Sequence, residues 1–421
     1  MPEAESKEAI VVGAGLVGIC AALALQEKGF AVRIIDRDGA AEGTSFGNAG
    51  VISPWSCVPQ SVPGILKNVP NWLLDPEGPL ALRWSYIPQL MPWMLKFLQA
   101  GALSRLPAIA DAMLAVNRPN LDMYHQLLAG SGEEDLVQDC LYLHAYRSAD
   151  GANLDDLKWR LRRERGVELQ VLRGGEIREV EPELTPEIKS AVVITRQGRT
   201  VNPGRLGKVL AAKAEAQGAK FLRGRVEKIV PETDGGYRID TDQGSHLSKT
   251  VVLAAGAWSV RLLAALGVRV SLEAERGYHL VFNDPGISLN HSIMDADRKF
   301  VTSSMEMGVR SAGTAEFGGL DAAPNYRRAK MFTRLTKNLL PNINTEATEE
   351  WSGVRPSSPD SVPYIGAAPG HPRLFCAFGH GHLGLTGAPM TGRMIAALAS
   401  DEPLNIDMTP YRLDRFTHGG S

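Results

Sequence analysis

The stretch Ala9-Ile10-Val11-Val12-Gly13-Ala14-Gly15-Leu16-Val17-Gly18, continued by Ile19 to Lys28, Gly29 and Ala31 to Asp36, decides how this chain folds. Ala9 to Val12 is a short apolar run closed by glycine and reads as a buried parallel strand. Ile19 to Lys28 is rich in alanine and leucine and reads as a helix, with Gly29 just past its last turn. Ala31 to Ile35 is a second apolar strand, and Asp36 stands at its end. Between the first strand and the helix lies a GxGxxG. Gly13 allows the tight turn, Gly15 lets backbone approach a pyrophosphate, and Gly18 lets the helix pack close to the strand. The unpaired N–H groups and positive dipole end of the helix suit phosphates. Asp36 can accept hydrogen bonds from the ribose hydroxyls of an adenosine. A lone GxGxxG carries little weight. Set between two strands, with an acid ending the second, it predicts a dinucleotide-binding βαβ unit. That unit alone does not separate a nicotinamide from a flavin dinucleotide.

Composition bounds the rest. The 421 residues exceed one ordinary core and suffice for two domains. A chain that is 44% hydrophobic and 22% charged is globular. The net charge of −2, from near balance of acids and bases, gives no sign of a nucleic-acid partner. Cys20, Cys57, Cys140 and Cys376 are far apart and form no CxxC pair. They predict free thiols rather than disulfides, and no metal site. Met1 to Glu8 is polar and acidic, unlike a signal peptide. No apolar run is long enough to span a bilayer. The expectation is a cytoplasmic protein, with attachment to the inner face of the membrane left open.

Just beyond Asp36 comes Glu42-Gly43-Thr44-Ser45-Phe46-Gly47-Asn48-Ala49-Gly50, rich in small and hydroxyl residues. Here the sequence resembles the D-amino-acid oxidase and dehydrogenase family of flavoproteins, which includes glycine oxidase and sarcosine oxidase. The resemblance implies FAD as cofactor. It implies that Thr44 and Ser45 contact the pyrophosphate and that Asn48, Ala49, Gly50 and Val51 run along the flavin. Gly13, Gly15, Leu16, Val17, Asp36 and Arg37 would hold the rest of the dinucleotide.

The resemblance recurs in order along the chain. Thr200-Val201-Asn202-Pro203 precedes a helical stretch, Leu206 to Gln217, then Gly218 and a strand reading over Ala219 to Ile229. The family passes this strand beside the adenine, which implies a backbone contact from Val226. Val251 to Ser259 is a buried strand ending in a small-residue turn, and implies flavin contacts for Ala255, Gly256 and Trp258. Trp351-Ser352-Gly353-Val354-Arg355-Pro356 and Phe378 to Pro389 look like the closing flavin-binding block. Gly381, His382, Leu383, Gly384, Leu385 and Thr386 are the implied residues there. Gly-rich backbone at a helix start can bring N–H groups to the pyrimidine carbonyl of a flavin.

In the resembling family an arginine at the GxRP position pairs with the substrate carboxylate, which makes Arg355 the implied anchor. Its planar fork matches a carboxylate better than lysine would. Tyr278 is a second candidate, for carboxylate binding or for covering the pocket. It shares a strand face with Leu280 and not with His279. Lys299 to Ser303 and Gly308 to Ser311 read as strands of the wall opposite the flavin. His380 and His382 either tune the flavin and shuttle protons or are loop histidines bonded to backbone. No general base is required, because a flavin can take hydride from the α-carbon of an amine already deprotonated.

The fold implied is α/β: a Rossmann-like FAD-binding domain and a second, mixed-sheet α+β substrate domain, glutathione-reductase-like in arrangement. The flavin domain is expected from 1–54, 197–269 and 350–421, and the substrate domain from 55–196 and 270–349. Pro54 to Lys96 stands apart, with four of the seven tryptophans and eight of the 26 prolines. It reads either as a proline-broken cover over the substrate domain or as a surface that docks on a membrane or an electron acceptor. The expected activity is oxidation of a D-amino acid, including proline-like ones, with electrons passed to a quinone or carrier. An oxygen-using oxidase of glycine or sarcosine, and a non-catalytic flavin-binding subunit, are the alternatives.

Overall fold

A computed structural model of the chain describes residues 7–416. The opening unit forms as its sequence reads. Strands Glu8–Val12 and Ala31–Asp36 pair in parallel, joined by the helix Leu16–Glu27. Gly13 lies at φ +107°, and a Cβ there would sit 2.5 Å from the Ala254 carbonyl oxygen. A Cβ on Gly18 would sit 2.0 Å from the carbonyl oxygen of Gly13. Both glycines are thus required by close approach of backbone to backbone.

These strands lie inside a six-stranded sheet, ordered Tyr364–Ala368, His371–Phe378, Thr250–Leu253, Glu8–Val12, Ala31–Asp36 and Lys220–Arg223. All neighbours are parallel except the Tyr364–Ala368 edge. Helices Leu16–Glu27, Pro203–Ala216 and Gly384–Ala399 pack together over a core that includes Ile19, Leu23, Leu210 and Ile395. Pro203 starts its helix directly after Asn202, whose Oδ1 caps the Arg205 N–H at 3.0 Å. A second core, with Ile10, Val12, Ile229, Ile239 and Phe378, joins the sheet to a small antiparallel one.

One strand differs from its sequence reading. Ala219 to Ile229 is not continuous but splits into Lys220–Arg223 and Val226–Pro231. Gly224 N–H donates to the Asp36 carbonyl at 2.9 Å, which ends the first pairing. The second strand then enters the three-stranded antiparallel sheet. The break places Val226 beside the end of the Asp36 strand.

A ten-stranded mixed sheet forms the second layer. Its strand Glu273–Phe282 pairs antiparallel with Gly308–Phe317 on one side and Thr348–Ser357 on the other. Alternation assigns its two faces. Tyr278, Leu280 and Phe282 pack with Phe332 and Leu335 of the helix Arg327–Leu339. Glu275, Gly277 and His279 face the opposite way, toward the six-stranded sheet. The Pro54 to Lys96 stretch wraps this layer. Leu80–Leu82 pairs with Gly308–Phe317, and the helix Ile87–Ala100 buries Leu90 and Trp93 against Phe317.

Candidate active site

A cleft of about 350 Å³ runs along the carboxyl ends of the parallel strands, where ligands bind in open α/β sheets. Gly13, Gly15, Leu16, Val17, Asp36 and Arg37 line it from the first unit. Thr44, Ser45 and Asn48 come from the following loop, Val226 from beyond Gly224, and Ala255, Gly256 and Trp258 from the small-residue turn. Gly381, Gly384 and Leu385 close it from the last block. Asp36 is fixed at the rim. Its Oδ2 accepts from Ala14 N–H at 2.8 Å, and its Oδ1 from Asp38 and Gly39 N–H at 2.8 and 3.0 Å. A carboxylate has about four lone-pair sites, so an acceptor remains. Ser45 Oγ accepts from Leu16 N–H at 3.0 Å, and Thr44 Oγ1 donates to the Val354 carbonyl at 2.7 Å. The Arg37 guanidinium lies 4.3 Å from the Trp258 ring centre.

Ala49, Gly50, Val51, His382, Leu383 and Thr386 stand behind this lining. Gly50 lies at φ +80°, packed against the Thr200 carbonyl. Thr386 Oγ1 donates to the Val51 carbonyl at 3.3 Å and accepts from Ser53 N–H at 3.2 Å, so it ties the loop to the last helix. Leu383 packs on the helix core, and Ala49 is half-buried. The cleft also uses residues that no local motif marks: Asp38, Gly39, Arg225 and Arg261. His380, inside the closing block, lines it too. It is buried, donates from Nε2 to Thr391 Oγ1 at 2.9 Å, and has its pKa lowered by burial to about 4. Burial thus favours the neutral ring.

Across from the cleft, the sheet presents a second set of groups. Arg355 and Glu275 are Cα partners on adjacent strands. The Arg355 guanidinium lies flat over Gly277, where a Cβ would come within 2.2 Å of Nη2. Nη1 donates to Glu275 Oε1 at 2.9 Å and to the Thr314 carbonyl at 2.7 Å; Nη2 donates to the Gly313 carbonyl at 3.3 Å. A register shift between Arg276 and Tyr278, with Thr314 at φ +62°, marks a bulge where those two carbonyls turn toward the arginine. Among the described residues Nε has no hydrogen-bond partner, and the side chain is 16% exposed. The Nε and Nη2 edge is what remains for a ligand.

Glu275 is fully buried. It also accepts from His382 Nε2 on Oε1 at 2.6 Å and from Ser357 Oγ on Oε2 at 2.7 Å. Burial alone would raise its pKa, but His382, Arg355 and Ser357 outweigh burial and bring it down to about 2. Nothing in the sequence singled out Glu275; the available signal was its neighbour Gly277, a glycine inside a strand. Further along the same face, the Trp351 ring lies over Gly353 and Gly47 and stacks on His279 at 5.0 Å. His279 Nδ1 donates to the Gly47 carbonyl at 3.1 Å, and Arg310 Nη1 donates to the carbonyls of Phe46 and Asn48 at 3.0 and 2.7 Å. Burial, with Arg310 and Arg355 nearby, lowers the His279 pKa to about 3. The sheet therefore holds the cleft's 46–48 loop directly.

With this geometry in view, the comparisons place the chain. Residues 8–398 match the DAO model, FAD dependent oxidoreductase. The chain belongs to the DAO family of FAD-dependent oxidoreductases. It is 37% identical over 420 residues to a D-amino-acid oxidase of Bradyrhizobium diazoefficiens, covering 98% of this chain and 99% of that one. It is 33% identical to a D-amino acid dehydrogenase of Paramagnetospirillum magneticum, covering 97% and 98%. The fold is similar to that of glycine oxidase from Geobacillus kaustophilus, with a TM-score of 0.75, 22% identity, and 99% and 100% of the two chains covered.

FAD, the family's cofactor, fits the residues present in this DAO protein. Side chains at Gly13 and Gly18 would destroy the phosphate turn, the N-cap of the Leu16–Glu27 helix is Gly15, which has no side chain to fill the helix start, and Asp36 keeps a free acceptor. One sequence expectation needs correction. Tyr278 is 1% exposed and sits among Leu280, Phe282 and the Arg327–Leu339 helix, on the sheet face away from Arg355. Its hydroxyl donates to Glu316 and accepts from Asn325 N–H at 2.7 Å. The face alternation read from sequence was sound, but the helix side claimed Tyr278, and His279 faces the cleft.

Proposed function

We propose that this protein is an FAD-dependent dehydrogenase of small D-amino acids, proline-like ones among them, acting on a CH–NH₂ or CH–NH group. Arg355 carries the reading. It stands on the sheet face toward the cofactor cleft with Nε unbonded and Nη2 donating only to the Gly313 carbonyl among the described residues, which leaves one N–H on each, and two N–H groups so placed suit a carboxylate side-on. The names of the relatives, D-amino-acid oxidase and D-amino acid dehydrogenase, support the substrate class. Bound FAD supplies a two-electron acceptor at flavin N5. The chain's part would be to hold the carboxylate on Arg355 and so orient the α-carbon toward the cofactor cleft. With the amine already deprotonated, its lone pair would form the C=N bond as the hydride is lost, and the iminium would give up a proton to become the imine. Water converts an open-chain imine to a 2-oxo acid and ammonia, whereas a proline-like ring stays an imine.

The acceptor is a quinone or carrier in this reading. Among the described residues, no helix is long and apolar enough to cross a membrane. Six of the eight exposed large apolar side chains among the described residues, Leu66, Leu74, Trp84, Met91, Leu95 and Leu103, lie in or next to the Pro- and Trp-rich stretch. They suit contact with a quinone-bearing membrane surface. An oxidase is the second reading, favoured by the name of the relative at 37% identity. Anaerobic mixing with D and L amino acids side by side tests the substrate. Flavin bleaching by D isomers is expected, and no bleaching by any amino acid would return the non-catalytic subunit reading. Admitting air then separates the acceptors, because rapid re-oxidation with peroxide would favour the oxidase.

A further inference from the structure

We propose that Glu275 is a positioning residue for substrate capture, holding the Arg355 guanidinium flat over Gly277 with its free edge toward the cofactor cleft. This rests on the reading of Arg355 as the carboxylate anchor. A long arginine side chain on an open sheet face has many rotamers, and aiming it costs conformational entropy at the moment of binding. Here the aim is set beforehand. Glu275 Oε1 takes Nη1 at 2.9 Å, while the bulge turns the Thr314 and Gly313 carbonyls onto Nη1 and Nη2. Gly277 leaves the floor clear for the planar group.

Glu275 cannot swing aside to release it. Its carboxylate is fully buried; His382 Nε2 shares Oε1 with Arg355 at 2.6 Å, and Ser357 Oγ holds Oε2 at 2.7 Å. The side-chain hydrogen bonds to the Glu275 carboxylate thus come from the Thr348–Ser357 strand and the turn at His382. The arrangement carries an electrostatic cost for the anchor, because a carboxylate beside Arg355 cancels its charge and weakens its pull on a second anion. Opposed effects of charge and geometry make the role testable by sign. If Glu275 only damped the arginine's charge, removing its own charge would tighten anion binding. If it aims the arginine, the same change loosens anion binding.

The experiment titrates the oxidised, FAD-loaded protein with acetate, a carboxylate it cannot oxidise, and follows the flavin absorbance. Glu275→Gln is expected to raise the acetate Kd by about tenfold or more, and the substrate KM with it, at unchanged FAD content. An unchanged or lower Kd would overturn the proposal. Glu275→Asp keeps the charge and shortens the reach, so it stands in should the glutamine variant fold poorly. Weaker acetate binding is expected there too, and wild-type binding would again overturn it. Arg355→Ala in the same titration isolates the underlying reading. If it binds acetate normally, the anchor reading fails. If it loses acetate while Glu275→Gln does not, the positioning role alone fails.

Discussion

In the cofactor cleft the groups that meet a ligand are mostly backbone, placed by glycines, tight turns and a helix start. On the ten-stranded sheet opposite, they are side chains drawn from separate strands and a distant turn. Gly13, Gly15 and Gly18 do their work within six residues of chain, and any side chain at Gly13 or Gly18 would strike backbone. Arg355, Glu275 and His382 meet only because two strands pair in register and a C-terminal turn folds against them. The first construction tolerates no added atom at Gly13 or Gly18. The second depends on charge and aim.

Breaking the two regions separately should give different failures. Gly13→Ala forces a Cβ into a left-handed position and onto Ala254, so FAD should bind at least about a hundredfold more weakly. The flavin-to-protein absorbance ratio of the purified variant reads this, and a normal ratio would show that the turn is not what holds the cofactor. Arg355→Ala should do the reverse. It should keep FAD and raise the substrate KM by roughly a hundredfold, as loss of a paired charge does. A near-normal KM would remove Arg355 from the site.

Lowering the pH should sharpen the contrast. His279 and His380 have pKa values lowered to about 3 and about 4, the first by burial and nearby Arg310, the second by burial. A histidine kept neutral in the fold takes up its proton more readily when unfolded, so stability falls as pH drops below about 6.5. Each should cost on the order of 3 kcal/mol by pH 4. Glu275, with its pKa lowered to about 2, works over a different window. Its stabilisation is complete above the usual carboxylate range and is lost only as pH falls from there toward 2. Thermal melts between pH 7 and pH 4 should therefore lose stability before the Glu275 contact is affected. A flat melting temperature over that range would mean the two histidines are open to solvent.

The smallest effect is expected at Tyr278. Tyr278→Phe removes hydrogen bonds to Glu316 and Asn325, and should cost about 1–2 kcal/mol of stability. KM should move by less than about twofold, since the residue packs on the helix side. A large KM change would put Tyr278 back at the substrate.

Much of the cleft could be read from the chain because each of its parts is a local solution to a local problem. The turn at Gly13, the close packing at Gly18 and the acid at Asp36 lie within one βαβ unit. The later blocks, up to Leu385, carry the same dense glycines. The break at Gly224 was missed because a glycine between two apolar runs does not say whether the strand bulges or leaves its sheet. His380 could not be assigned because the sequence does not give its burial or its bond to Thr391. Glu275 looked like one more charged residue beside Arg276 until the pairing of two strands put it under Arg355.

The sequence by itself determined the dinucleotide-binding unit, because its signals are backbone requirements, and a backbone requirement is written in the residue that must be small. The later blocks and Arg355 rest on the family resemblance. The tertiary structure decided which face of Glu273–Phe282 meets the cleft, that Tyr278 belongs to the core, and that Arg355 is held by Glu275 and a bulge. Those depend on pairing register and on which layer covers which face, and register brings together residues that share no local pattern.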